Sequence, residues 1–274
     1  MRVRICPVSN LEPHRITVGN GAESRSIAYH LRLPSDAAKS ALVWLGGYGS
    51  DMSGTKALEL DRYAEALGAA CLRHDYSGHG ASGGAFRDGT ISRWVEESLA
   101  VLDHVGRDAP GFNRLVLVGS SMGAWIALRM VEELRKRGEG GRLAGLVLIA
   151  PAPDFTLDLI EPHLTEDDRA ALADCGFMEE ASLYGSDPVI YTAGLIEDGR
   201  KNRVMAGIIE TGCPVHILQG MADPDVPYAH ALKLMEHLPA DDLVMTLIAD
   251  GDHRLSRPED LERMRAALEG LLLD

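Results

Sequence analysis

Short apolar runs alternate with stretches of helical period along most of this chain. Residues 26–33 alternate apolar and polar positions, as a half-buried strand does, and are expected to form an early antiparallel strand. Residues 70–75 are expected to form another strand, and residues 41–45, 114–118, 143–150, 215–219 and 243–249 are compact apolar runs rich in Val, Ile and Leu. Strands buried on both faces read this way. Between them, residues 55–69, 91–105, 124–134, 227–238 and 257–272 have the composition and spacing of helices. Thr55 is expected to cap the first of these helices and Ser92 to open the second. Strands separated by helical crossovers predict an α/β fold, with a mainly parallel sheet and helices on both faces.

Residues 154–212 interrupt the alternation. The stretch is long, helical in composition and placed where a strand ends, which is the place of a lid or binding cap. The chain then reads as one domain, residues 1–274, carrying this insertion. Its apolar residues include Phe155, Leu159, Leu183 and Tyr184. Most are expected to pack the cap on the body. Phe155 and Leu159 are candidates to line a substrate cleft.

The candidate chemistry centres on Gly119-Ser120-Ser121-Met122-Gly123, a G-x-S-x-G between an apolar run and a helical one. On a tight strand-to-helix turn a serine hydroxyl is pushed out at the top of the sheet. Small flanking residues keep neighbouring backbone clear, and the helix that follows aims free N–H groups at any oxyanion beside the serine. Ser121 is thus the expected nucleophile, and the Met122 N–H one oxyanion donor. The glycine-rich turn after the 41–45 run, Gly46-Gly47-Tyr48-Gly49, is expected to supply the other. Tyr48 is the first choice and Gly47 the next, and both would lie against the substrate. No phosphate-binding glycine motif is present.

A serine hydroxyl needs a base. His30, His74, His216, His230 and His237 fall within predicted strands or helices and read as packing or surface residues. His253 follows the last apolar run, in a loop at a strand's carboxyl end, where open α/β sheets place their ligands. His79 is its rival, but sits in a loop crowded with glycine that suggests a structural role. Asp223, also just beyond a strand, is the expected partner of the base. Asp225 competes with it, and Asp250 and Asp252 less so. The order Ser121, Asp223, His253 is the one a G-x-S-x-G enzyme on such a sheet uses.

A formal net charge of −14 argues against nucleic acid as the main partner and against docking on anionic lipid. No apolar run approaches a membrane span, so stable membrane insertion is not expected. The first residues lack the apolar core of a secretory signal. Cys6, Cys71, Cys175 and Cys213 form no C-x-x-C pair and no zinc spacing, and are expected to be reduced, buried thiols. A cytoplasmic location follows as the expectation, with no metal or organic cofactor.

Residues 47–57, 75–80, 119–125 and 252–254 together resemble the α/β-hydrolase superfamily, and within it the group of α/β-hydrolase domain-containing protein 10, most of all its bacterial members. The similarity runs from about residue 25 to the carboxyl terminus. It implies a serine esterase, of the kind described as palmitoyl-protein thioesterases and acyl-glucuronide esterases, with Ser121, Asp223 and His253 as the triad. The expected substrate is a small acyl ester or thioester, or an S-acylated protein. Peptidase or amidase activity uses the same triad and stays open as the alternative. A non-catalytic receptor has no need of a triad. Epoxide hydrolases and haloalkane dehalogenases ordinarily carry aspartate where Ser121 stands.

Overall fold

The computed structural model describes residues 12–34, 40–106, 108–182, 185, 187–240 and 242–272. Cys6, Leu183 and Tyr184 lie outside these. The described chain enters through β1 (His14–Val18) and β2 (Arg25–Arg32), then β3 (Ala41–Leu45), helix α1 (Thr55–Leu67) and β4 (Ala70–His74). Helix α2 (Ile91–Val105), β5 (Leu115–Ser120), α3 (Met122–Lys136) and β6 (Leu143–Ile149) follow. The insertion holds a π-helical turn (Thr156–Ile160), α4 (Glu166–Asp174), the strands β7 (Phe177–Glu180) and β8 (Val189–Thr192), and α5 (Ala193–Lys201). The body closes with β9 (Val215–Gly220), α6 (Tyr228–Glu236), β10 (Leu243–Ile248) and α7 (Pro258–Leu272).

Among the described residues the main sheet has eight strands in the order β1-β2-β4-β3-β5-β6-β9-β10. β2 is antiparallel to both of its neighbours, and the pairs from β4 to β10 are parallel. β3, β4 and β5 are buried at every position; the apolar run of β3 and that of Leu115–Val118 in β5 predict this, whereas β4 also buries the polar Arg73 and His74. Their side chains alternate between two cores. Leu115 and Leu117 face one, shared with Trp94 of α2 and Trp125 of α3. Val116 and Val118 face the other, shared with Leu60 of α1 and Met264 of α7. Helices therefore cover both faces, and the carboxyl ends of β3, β5, β9 and β10 stay free to carry loops.

Several local expectations change. Thr55 is the first helical residue of α1, and Gly54 is its cap, without a side chain to donate or accept. α2 is capped by Thr90, whose hydroxyl accepts the Arg93 N–H at 3.2 Å. Ser92 instead uses its N–H and hydroxyl on Asp198 of α5, tying the insertion to the body. The insertion is not purely helical, because β7 and β8 form an antiparallel hairpin. Val189-Ile190-Tyr191-Thr192 is β-branched and aromatic, which favours strand over helix. β1 was too short an alternation to stand out in the sequence. Cys71 is buried and Cys213 half-buried, their thiols pushed up to about 12 and about 11 by desolvation. Cys175 is exposed, against expectation, because it ends α4, a helix with no fully buried residue. No helix among the described residues is long and apolar enough to cross a membrane.

Candidate active site

β5 ends at Ser120 and α3 begins at Met122, so Ser121 makes the whole turn between them. Its backbone sits at φ 54° and ψ −120°. A non-glycine residue there costs about 1–3 kcal/mol, so neighbours must hold it. The Ser121 N–H donates to Ile149 O at 2.8 Å, and its carbonyl accepts from Ala124 N and Ala152 N. The flanking glycines are forced by contact: a Cβ on Gly119 would stand 2.4 Å from the Gly123 carbonyl oxygen.

His253 Nε2 lies 3.1 Å from Ser121 Oγ, and His253 Nδ1 lies 2.8 Å from Asp223 Oδ2. A carboxylate can only accept, so Nδ1 carries the ring proton and Nε2 presents a lone pair to the serine hydroxyl. The other Asp223 oxygen accepts the N–H groups of Asp225 and Val226 at 2.9 and 2.8 Å. The Asp223 side chain is fully buried, and that of His253 is 17% exposed, which leaves the imidazole edge open to a substrate. Asp225 thus serves the acid through its backbone. Asp250 pairs with Arg257, and Asp252 accepts the Leu255 N–H. Asp223, Asp225 and His253 also have ligand atoms within 4.8 Å of one another, a spacing that could hold a metal ion. A metal on Nδ1 would have to displace the His253–Asp223 hydrogen bond.

The turn after β3 passes beside the serine. A Cβ on Gly47 would meet Ser121 Cβ and Ser120 O, each at 3.3 Å. Met122 opens α3, so its N–H has no acceptor within the helix. Tyr48 is held from the other side: its hydroxyl donates to Ile190 O of β8, and its ring stacks on Tyr191 at 5.6 Å and 13°. Burial and the nearby Tyr191 push its hydroxyl well above the usual phenol range. Phe155 is buried and meets Trp125 edge-on at 5.6 Å. Its ring belongs to the cluster with Tyr48 and Tyr191. Leu159 is half-buried against the same core.

A cleft of about 330 Å³ opens beside Gly47 and Ser120, bounded by Trp44, Asp51, Lys56 and Arg254. No residue of the insertion lines it, so neither Phe155 nor Leu159 is a wall of this cleft. A larger groove of about 390 Å³ lies between α3 and residues 203–210, and contains neither Ser121, Asp223 nor His253.

Two supporting side chains were not foreseen. Gln219, at the end of β9, donates to Asp223 Oδ2 at 3.3 Å and to Val226 O at 3.1 Å, closing the turn that carries the acid. Lys56 of α1 donates to Arg254 O, in the loop after His253, and lies 3.5 Å from Ser256 Oγ. Burial pulls the Lys56 ammonium down to about 8. Neither residue has a sequence signal apart from its place beside a candidate loop.

A mostly parallel sheet with a strained serine turn between a central strand and its helix defines the α/β-hydrolase class. The chain belongs to the alpha/beta hydrolase family, whose model matches residues 42–264. Among solved structures, a protein from Agrobacterium vitis S4, whose name goes no further than hydrolase, is 62% identical with a TM-score of 0.91. It covers 95% of this chain and 98% of its own. Mouse alpha/beta hydrolase domain-containing protein 10 is 26% identical with a TM-score of 0.78, over 94% of this chain and 98% of that one. The human mitochondrial palmitoyl-protein thioesterase ABHD10 is 28% identical over 232 residues, 84% of this chain and 72% of the relative.

Proposed function

We propose that this protein is a serine hydrolase that cleaves carboxylic esters or acyl thioesters. The observation that carries the reading is the unbroken hydrogen-bonded series from Asp223 through His253 to Ser121. His253 Nε2 takes the hydroxyl proton as Ser121 Oγ attacks the acyl carbon. The carbonyl π electrons move onto oxygen, and the N–H of Met122 with that of Tyr48 or Gly47 stabilises the oxyanion. Collapse of this intermediate breaks the bond to the alkoxide or thiolate, which leaves with the proton from His253. Water then loses a proton to His253 and attacks the acyl-enzyme, releasing the carboxylic acid and restoring Ser121. Asp223 holds the ring in the tautomer this requires and stabilises the imidazolium.

Thioester cleavage draws support from the likeness to palmitoyl-protein thioesterase ABHD10. The test is a panel of ester, thioester and amide substrates sharing one acyl group, run at several acyl lengths. Efficient ester or thioester turnover with slow amide turnover is expected. Preferential amide cleavage would move the protein to the peptidases.

A further inference from the structure

The loop after β4, residues 75–83, takes no part in the series from Asp223 to Ser121, yet it grips the turn that faces Ser121. Tyr76 donates its hydroxyl to Gly46 O at 3.2 Å. His79 Nε2 accepts the Gly49 N–H at 3.1 Å. Asp75 Oδ1 accepts the Met52 N–H at 2.6 Å, and Arg73, the penultimate residue of β4, donates to Met52 O at 2.6 Å. The grip is itself stiff. Asp75 Oδ2 accepts the Ala81 N–H at 2.7 Å. Side chains on Gly78 and Gly80 would drive into Phe86 Cα at 2.5 Å and Asp75 Oδ2 at 2.2 Å.

Of the contacts described from this loop, that of His79 reaches the middle of the turn, at Gly49. A backbone N–H can only donate, so the Nε2 facing Gly49 must be unprotonated. Nδ1 then carries the proton and donates to Ser77 O at 3.2 Å. The ring is buried among Tyr48, Tyr76, Phe86 and Trp94, with centroids 5.1–6.4 Å away. That burial lowers its pKa and favours the neutral form. Gly49 lies at φ 68°, in the left-handed region, so the turn is not held by backbone preference for an ordinary residue.

We propose that His79 is a positioning residue for the oxyanion turn. As an acceptor it engages the Gly49 N–H and fixes the backbone of residues 47–49, so that the neighbouring N–H groups stand ready for the oxygen of an acyl group on Ser121. This rests on the serine-hydrolase reading above. His79 touches neither substrate nor reacting atoms; it acts through Gly49.

A purely structural role, packing four aromatic rings, makes a different prediction. His79→Phe keeps a ring but has no acceptor. His79→Gln loses the ring but can place an amide oxygen about where Nε2 stands. Both are compared with wild type for kcat and KM on a p-nitrophenyl ester and for affinity to a trifluoromethyl ketone that mimics the tetrahedral state. His79→Phe is expected to lose about 10²-fold in kcat with KM nearly constant, the size of losing one oxyanion donor. Affinity for the ketone should fall in step, and His79→Gln should recover about tenfold of the lost rate. Equal loss in both variants, a loss confined to KM, or full kcat in His79→Phe overturns the proposal. If His79→Phe does not fold, His79→Met takes its place against His79→Gln. Ser121→Ala is run alongside. Turnover retained there overturns the serine-hydrolase reading, whereas an inactive Ser121→Ala beside a fully active His79→Phe overturns only the role of His79.

Discussion

Gly123 is pressed against the carbonyl of Leu45, so closely that a Cβ on Gly123 would stand 2.0 Å from that oxygen. The same contact brings the start of α3 against the turn after β3. The last glycine of the G-x-S-x-G motif is therefore a packing requirement between two backbones, neither of which can yield as a flexible side chain would. Gly123→Ala is expected to cost about 1–3 kcal/mol, the usual penalty of overpacking, and to push the turn away from Ser121. Chemical denaturation paired with steady-state rates checks both effects. A stable, fully active Gly123→Ala would show that the contact is not needed.

Asp223 and Asp225 are separable by conservative substitution. Asp223→Asn replaces an acceptor facing His253 Nδ1 with an amide that can donate, and favours the wrong ring tautomer. A loss of up to about 10⁴-fold in kcat is expected, from the serine-protease precedent. Asp225→Asn keeps the backbone N–H that Asp223 uses, and should stay close to wild type. Rates of the two variants on one ester decide it, and the reverse ranking would reassign the acid.

Acid should destabilise the fold, with His74 a principal cause. Its ring is fully buried, and desolvation lowers its pKa from 6.5 to about 4. Between those values the unfolded chain binds a proton that the native state does not. Native stability therefore falls as pH drops through this window, by about 3 kcal/mol from this residue. His30, His79, His216 and His230 are lowered in the same direction. Burial raises Asp75 and Asp154 above 3.8, so they act with the opposite sign as pH falls. His74→Gln keeps a donor for Ser98, 2.9 Å from Nε2, and removes the titration. Urea melts at pH 7 and pH 4.5 should show a smaller difference for His74→Gln than for wild type. An identical difference would exclude His74 as a cause.

The insertion touches the proposed oxyanion turn through Tyr48, Ile190 and Tyr191 rather than by walling the cleft beside Gly47. Phe155→Ala is expected to cost about 3–5 kcal/mol, because the ring is packed against Trp125. Phe155→Leu and Leu159→Ala are gentler probes of acyl selectivity. If the acyl chain lies against this cluster, each should lower the ratio of long-chain to acetyl turnover while sparing the acetyl ester. Unchanged ratios with lowered melting temperatures would assign both residues to packing alone.

The sheet was legible because parallel strands buried on both faces leave unbroken apolar runs, and helices between them leave a different period. The three candidate residues at strand ends were legible for the same reason: once Val118, Gln219 and Ala249 are placed at or near strand ends, Ser121, Asp223 and His253 follow as loop residues. The hairpin β7–β8 was not, since strands of four residues with Glu179 and Glu180 in one of them carry no clear period. Gln219 and Lys56 were hidden differently. Their roles depend on which loops the fold brings within reach, and a polar side chain at a strand end or in a first helical turn looks the same whether or not it finds one. His79 was read as structural from its glycine-rich loop, but its partner, Gly49, could not be named without the fold.

The most direct test of the central claim is active-site labelling with a fluorophosphonate, with the modified residue located by peptide mass spectrometry. One labelled site, Ser121, is expected, with loss of both labelling and ester hydrolysis in a folded Ser121→Ala variant. Label on a different residue, or undiminished hydrolysis by that variant, would contradict the claim.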